Sequence, residues 1–469
     1  MSGDPAALPI ARAAAEIAAG RLSPLELVEA TLARIAAHDG RIHSFATVCA
    51  DRARDAARRA EGEIHAGRIR GPLHGIPFAT KDIYDSAGVL TACQSHMLRD
   101  NVPATSAVAI ERLESAGAIL IGKCATAEFG TGGPSPGMLF PPAVNPWDAQ
   151  RYTGGSSTGS GAAVGAGLLR VALGTDTGGS IRGPAAFCGA VGLKPTYGLV
   201  SRRGVFPLTY SLDHCGPIAR SVEDAAIVLG GMAGPDPLDM ASAMVEPGDY
   251  RAGLDRGVAG LRIGYLRSWT AGHEDADAEQ LAALDAAVAR LQDMGAEVEE
   301  VAFTPEDIFL AVARTVLVSE YFSIHREMLL RAPHLYEPPA RERLMVGAFA
   351  RASDYVDALR LRRRLALAFN HDVMSRFDAV VTSTAVRPAW RFDELPDQPM
   401  HMLGLTTYAF NVTGNPAMSV PCGFSGGGLP LSMQIVGRMF DEATVLAVGA
   451  AYERETNWLD RRPPLGAPQ

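Results

Sequence analysis

Apolar residues recur at helical spacing near the start of the chain. Leu27, Val28, Ala30, Thr31 and Ile35 form one stripe behind Ser23-Pro24-Leu25-Glu26, which has the form of a capping box with proline at the first helical position. Residues 1–65 therefore read as a helical region. From Gly71 the pattern changes. Short β-like runs, Gly75-Ile76-Pro77-Phe78-Ala79 and Ala118-Ile119-Leu120-Ile121, alternate with helical stretches such as 107–116. A second alternation follows, with a strand at 260–265, an amphipathic helix at 277–294 and a strand at 297–303. Residues 309–375 are helical and dense in arginine, 377–381 read as a buried strand, and 416–436 as further strands around a turn at Gly426-Gly427-Gly428. Such alternation predicts a layered α/β architecture. No repeat or long linker interrupts it, so one large domain is expected, with residues 71–220 as its chemical core and 221–469 completing the sheet, the helical layer and a pocket.

Composition narrows the function classes. At 469 residues, 47% hydrophobic and 20% charged, the chain has ample material for a core. Its net charge of −9, without any block of Lys or Arg, lacks a phosphate-backbone footprint, so nucleic acid is not expected as a partner. The apolar stretches 116–122 and 161–174 are too short for a membrane span. Asp4, Pro5 and Pro9 occupy the place of a signal peptide, so a cytoplasmic location is expected. Six cysteines without a C-x-x-C and eleven scattered histidines suggest reduced thiols, no metal and no cofactor.

Of the 43 basic residues only three are lysine, Lys81, Lys123 and Lys194. A lysine in so arginine-rich a chain marks a place where arginine would fail, and arginine fails where a base must lose its proton.

Three segments carry the chemistry. The first is Gly75-Ile76-Pro77-Phe78-Ala79-Thr80-Lys81-Asp82. The second is Thr153-Gly154-Gly155-Ser156-Ser157-Thr158-Gly159-Ser160-Gly161, which opens a helix expected to run to Leu169. It contains a G-x-S-x-G, so an α/β-hydrolase elbow with Ser157 as nucleophile and His325, His371 or His401 as base is one alternative. The third is Gly174-Thr175-Asp176-Thr177-Gly178-Gly179-Ser180-Ile181-Arg182-Gly183-Pro184-Ala185. Here the backbone N–H groups of Thr177, Gly178, Gly179 and Ser180 can converge into an oxyanion hole, Ser180 can attack a carbonyl, and a buried, neutral Lys81 can serve as base.

These segments, in this order, resemble the amidase signature family of serine hydrolases, as do Ile121-Gly122-Lys123, Glu128-Phe129-Gly130, Asn145-Pro146, Gly192-Leu193-Lys194-Pro195 and Asn415-Pro416-Ala417. The resemblance covers essentially the whole chain. It implies one α/β/α domain with a central mixed sheet covered by helices. It also implies a Ser-Ser-Lys triad of Ser180 as nucleophile, Ser156 as proton shuttle behind a cis Gly155–Ser156 peptide, and Lys81 as general base. Asp176 and Arg182 would hold the nucleophile loop, Ser157 would support the triad, Gly130 and Thr131 would line the substrate pocket, and Lys123 and Lys194 would be structural. The activity expected is that of a stand-alone amidase acting on a small-molecule amide, or a related ester or hydrazide, through an acyl-enzyme. The resemblance also suggests a homodimer. An alternative is the ammonia-generating component of a glutamine-dependent transamidosome, placed second because residues 320–330 and 387–402 do not resemble the corresponding regions of the tRNA-dependent amidotransferases. Third comes a non-catalytic scaffold, opposed by the intact triad. The acyl pocket is expected near 131–140, 315–328 and 385–408, where Phe140, Tyr321, Phe322, Trp390 and Tyr408 hint at an apolar or aromatic acyl group and can equally belong to the core.

Overall fold

Along the strand Val171–Asp176 successive side chains enter two different cores. Val171 and Leu173 join an apolar cluster with Ile10, Val222, Leu229 and Val445, whereas Ala172 joins another with Val28, Ile121, Ala162 and Ile218. A strand buried on both faces must lie between two helical layers. A computed structural model, which describes residues 4–131, 134–135, 137–395 and 404–465, places this strand within an eleven-stranded sheet.

The strands are β1 (Phe45–Val48), β2 (Pro77–Lys81), β3 (Ile119–Cys124), β4 (Val171–Asp176), β5 (Val191–Lys194), β6 (His214–Ala219), β7 (Arg262–Tyr265), β8 (Glu297–Glu300), β9 (Ala379–Ser383), β10 (Ala417–Phe424) and β11 (Pro430–Gly437), in the spatial order β1-β3-β2-β4-β6-β5-β10-β11-β9-β7-β8. The sheet is mixed. β2 runs parallel to β3 and β4, and β7 parallel to β8 and β9, while the strands between are antiparallel. The helices Val222–Met232 and Glu442–Arg454 cover one face; Pro24–Ile42 and Thr158–Gly165 cover the other, where an aromatic cluster of Phe309, Phe369 and Phe410 continues the layer toward β9. The chain is thus a single α/β/α domain.

Three local features differ from the sequence expectation. Within residues 1–65 the strand β1 joins the sheet edge against β3, because Asp39 accepts the backbone N–H groups of Ser44 and Phe45 and draws the chain out of the capped helix Pro24–Ile42. The helix after Ser157 stops at Gly165, four residues early, where the Leu168 N–H turns back to the Ala163 carbonyl. The helix Glu306–Arg331 is long and apolar enough to cross a membrane by length and composition, which the sequence reading missed. Here it is packed on protein through Phe309, Val312, Val316 and Tyr321.

Parallel pairing positions the chemistry. With Ala79 opposite Ala172 and Thr80 opposite Leu173, β2 and β4 end at the same edge, which brings Lys81, the last residue of β2, beside Thr175. The helix Thr158–Gly165 packs closely on the helix Arg182–Cys188, which follows Ser180, because Gly161 has no side chain; a Cβ there would lie 2.7 Å from Pro184 Cβ.

Candidate active site

Lys81 is fully buried at the strand edge, and its Nζ donates to Ser156 Oγ at 2.7 Å and to Thr175 Oγ1 at 2.8 Å. Burial penalises the ammonium and brings the lysine pKa down to about 7; Asp213 and Asp176 oppose that fall. A lysine poised at neutrality can take a proton from a hydroxyl. Ser156 follows a cis peptide bond from Gly155, and its carbonyl accepts from the Ala127 N–H and the Thr126 hydroxyl.

Ser180 lies past the end of β4, half-buried where its neighbours are sealed, just before the helix Arg182–Cys188. Among the described residues no hydrogen bond joins Ser180 to Ser156, as is common before substrate tightens a catalytic contact. The loop carrying Ser180 is held by a buried pair. Burial alone would push the Asp176 carboxyl up, but the Arg182 guanidinium, 2.8 Å away, holds it well below the usual carboxylate range. Asp176 also accepts from the Gly179, Ile181 and Arg182 N–H groups, while Arg182 reaches Asn411 Oδ1 and Gln434 Oε1, both at 2.6 Å, and the Thr407 carbonyl.

This geometry revises the expected oxyanion hole. The Gly179 N–H donates to Asp176 Oδ1 at 2.8 Å, because that residue turns at a φ of 129° to close the loop on the carboxylate. The N–H groups of Thr177, Gly178 and Ser180 have no such partner among the described residues. Gly178 is glycine for want of space: a Cβ would enter the Tyr408 ring.

Gly130 comes to Ser156, where its Cβ position is 3.4 Å from Ser156 Oγ and 3.1 Å from Leu208 Cδ1. Thr131 follows, buried beside Tyr321. Ser157 is committed elsewhere. Its hydroxyl accepts from the Thr175 N–H and donates to the Thr175 carbonyl, each at 3.3 Å, locking β4 to the serine loop. The α/β-hydrolase alternative fails on this arrangement: Ser157 sits on no strand-to-helix elbow, His325 bonds the Tyr336 hydroxyl among aromatic rings, His371 is exposed on Asp372, and His401 lies outside the described residues. Lys123 donates to the Tyr84 carbonyl and to Thr91, and Lys194 donates to the Asn415 and Pro195 carbonyls, so neither touches the serines.

Several residues of the site carry no sequence signal of their own. Thr175 lies inside the third segment, but its side chain's reach to Lys81 depends on strand pairing. Asn411, Gln434, Thr407 and Tyr408 come from more than 200 residues away. Of the five aromatics singled out, Tyr408 presses on the loop at Gly178 and Tyr321 neighbours it. Phe140 and Phe322 are only partly buried, and Trp390 stacks under Arg387 at 3.7 Å. Tyr152, unnoticed in the sequence, approaches Gly155. Among the described residues no cluster of His, Cys, Asp or Glu could hold a metal ion.

The family model described as Amidase matches residues 26–446. The chain belongs to the amidase signature family. As a member of it, the protein is an amidohydrolase acting on C–N bonds. It is 40% identical to a glutamyl-tRNA(Gln) amidotransferase subunit of Anaeromyxobacter dehalogenans, over 98% of this chain and 97% of that protein. Among solved structures it resembles an inhibitor-bound s-triazine catabolic enzyme described with a vestigial protein complex (TM-score 0.89, 33% identity, 96% of this chain and 98% of that one). It also resembles the native peptide amidase of Stenotrophomonas maltophilia (TM-score 0.84, 33% identity, 97% and 98%).

The first of these relatives corrects the expectation of a stand-alone, small-molecule enzyme with no nucleic-acid partner, since by name it is one component of an enzyme for glutamyl-tRNA(Gln). The charge argument failed for a physical reason. A net charge of −9 describes the surface of this chain, and in an assembly another protein can carry the basic surface that meets RNA.

Proposed function

We propose that this protein is the amide-hydrolysing component of an amidotransferase-type assembly, releasing ammonia from a primary carboxamide such as that of glutamine. The observation that carries this reading is the buried Lys81, held near neutrality and bonded at 2.7 Å to Ser156 on the edge that also bears Ser180.

In this mechanism neutral Lys81 takes the Ser156 proton as Ser156 takes that of Ser180, and Ser180 Oγ attacks the amide carbon. The N–H groups of Thr177, Gly178 and Ser180 receive the oxyanion. Ser156 returns the proton to the leaving nitrogen, ammonia departs, and water cleaves the acyl-enzyme by the same relay. The 40% identity with part of a glutamyl-tRNA(Gln) amidotransferase supports the assembly.

Ammonia release from L-glutamine, L-asparagine and simple aliphatic and aromatic amides tests the reading, with folded Ser180→Ala as control. Glutaminase activity that requires Ser180 and rises when the remaining components of a glutamyl-tRNA(Gln) amidotransferase are added is the expected result. Activity from Ser180→Ala overturns the nucleophile, and full activity with no response to those components overturns the assembly.

A further inference from the structure

One buried carboxylate beside the triad has no part in the mechanism above. Asp213 is almost completely buried at the entrance to β6, and both of its oxygens accept hydrogen bonds. Oδ1 takes the Thr177 hydroxyl at 2.6 Å and the Thr209 hydroxyl at 3.3 Å; Oδ2 takes the N–H groups of Leu208 and Thr209 at 2.8 and 3.1 Å. A single side chain thus ties together two structures that meet at the reacting centre. Thr177 opens the N–H nest, and Leu208 lies against Gly130 next to Ser156. Asp213 also lines a cavity of about 580 Å³ whose wall includes the buried Thr175, the other partner of Lys81.

Resting on the hydrolase reading of Ser180, Ser156 and Lys81, we propose that Asp213 is a positioning residue of this centre: it aligns the N–H nest through Thr177 and supplies the negative charge that faces Lys81. Two backbone N–H donors can only be met by acceptor oxygens, so the bonding pattern suits a carboxylate. Burial pushes its proton affinity up, and the Thr177, Leu208 and Thr209 donors with Arg202 act against that rise. Several titratable groups around the pair stay in one state near neutrality. Burial raises Tyr84, Tyr197, Tyr321, Cys93 and Cys215, while Asp176 is held down by Arg182. The groups that can change charge with pH here are Lys81 and the carboxyls of Asp82 and Glu128, raised by burial to about 6 and about 7, and of the carboxylates it is Asp213 that most favours protonation of Lys81.

The test is the rate at which phenylmethanesulfonyl fluoride labels Ser180 in the full-length protein, followed by mass spectrometry across pH 5–9. Wild type is expected to label at Ser180, more slowly on the acid side of Lys81's titration; if it is not labelled there, the nucleophile reading falls and takes this inference with it. If it labels normally, the variants judge Asp213 alone. In Asp213→Asn the plateau rate should fall by about tenfold and the acid limb should move down by about half a pH unit, because Lys81 loses a facing negative charge. Asp213→Glu keeps the charge on a longer arm and should lower the plateau without moving the limb. Thr177→Val removes one arm only and should slow labelling about fivefold, again with the limb in place. An unmoved limb in folded Asp213→Asn overturns the electrostatic role. Wild-type labelling by Thr177→Val overturns the alignment role, and this second readout stands even if Asp213→Asn fails to fold.

Discussion

The edge of the sheet at β2, β4 and β6 and the helical side beyond β9 are both buried, but they are built from opposite materials. At the first, charged groups are sealed in and met by polar partners: Lys81 by Ser156 and Thr175, Asp176 by Arg182, and Arg182 by Asn411 and Gln434. At the second, Trp269, Phe303, Phe309, Phe369 and Phe410 meet through tilted and edge-to-face ring contacts with centroids 5.6–6.2 Å apart. A hydrogen-bonded cluster admits few alternatives, since each lost partner strands a buried charge or donor. An aromatic cluster accepts any set of rings of the right volume. The first therefore suits reaction chemistry, and the helical side suits shaping a pocket.

The comparison breaks most visibly at the triad. Ser180→Ala and Lys81→Met should each lower amide hydrolysis by about 10⁴-fold or more with the thermal midpoint little changed. Lys81→Arg should be as inactive, because a guanidinium does not release its proton; a turnover assay with matched melting curves checks all three. Next in size is the buried pair. Asp176→Asn leaves Arg182 without its counter-charge and should cost about 3–5 kcal/mol of stability in denaturant unfolding, whereas a surface pair such as Arg58–Asp55 should cost less than about 1 kcal/mol.

The pH response is milder. Lys81 must be neutral to act, and its pKa is lowered to about 7, so kcat/KM should fall roughly tenfold per unit as pH drops below that value and level off above it. A flat profile between pH 5 and 8 would remove the lysine from the mechanism. The smallest effect belongs to the pocket side. Tyr321→Phe deletes a hydroxyl near Thr131 and Arg343 and should raise KM by about 3- to 10-fold while leaving kcat near wild type. A fall in kcat instead would join this side to the chemistry.

Legibility followed the same divide. The glycine–serine segments and Lys81 stood out because short segments of glycine, serine and lysine have few other uses, the strand ends were read two or three residues off, since β2 was taken to end at Ala79 and ends at Lys81, and the capping box at Ser23 forms as read, with both of its hydrogen bonds. Gly178 was readable as part of a nest, but its contact with Tyr408 was not, since 230 residues separate them. The Gly179 N–H was assigned to the oxyanion and is instead taken by Asp176, a choice made by the loop's φ angle rather than by composition. Partner identity was misread because charge was counted on one chain alone.

By itself, then, the sequence determined the layered α/β order and the family, and it singled out Ser180, Ser156 and Lys81 as candidates, because local periodicity and residue chemistry act over short stretches. Only the tertiary structure decided that β2 and β4 end side by side, that Arg182 is met by Asn411 and Gln434, and that Asp213 stands between Thr177 and the Leu208 loop. Those contacts join segments far apart in the chain, and what selects them is the burial of both sheet faces together with the high cost of an unpaired charge inside.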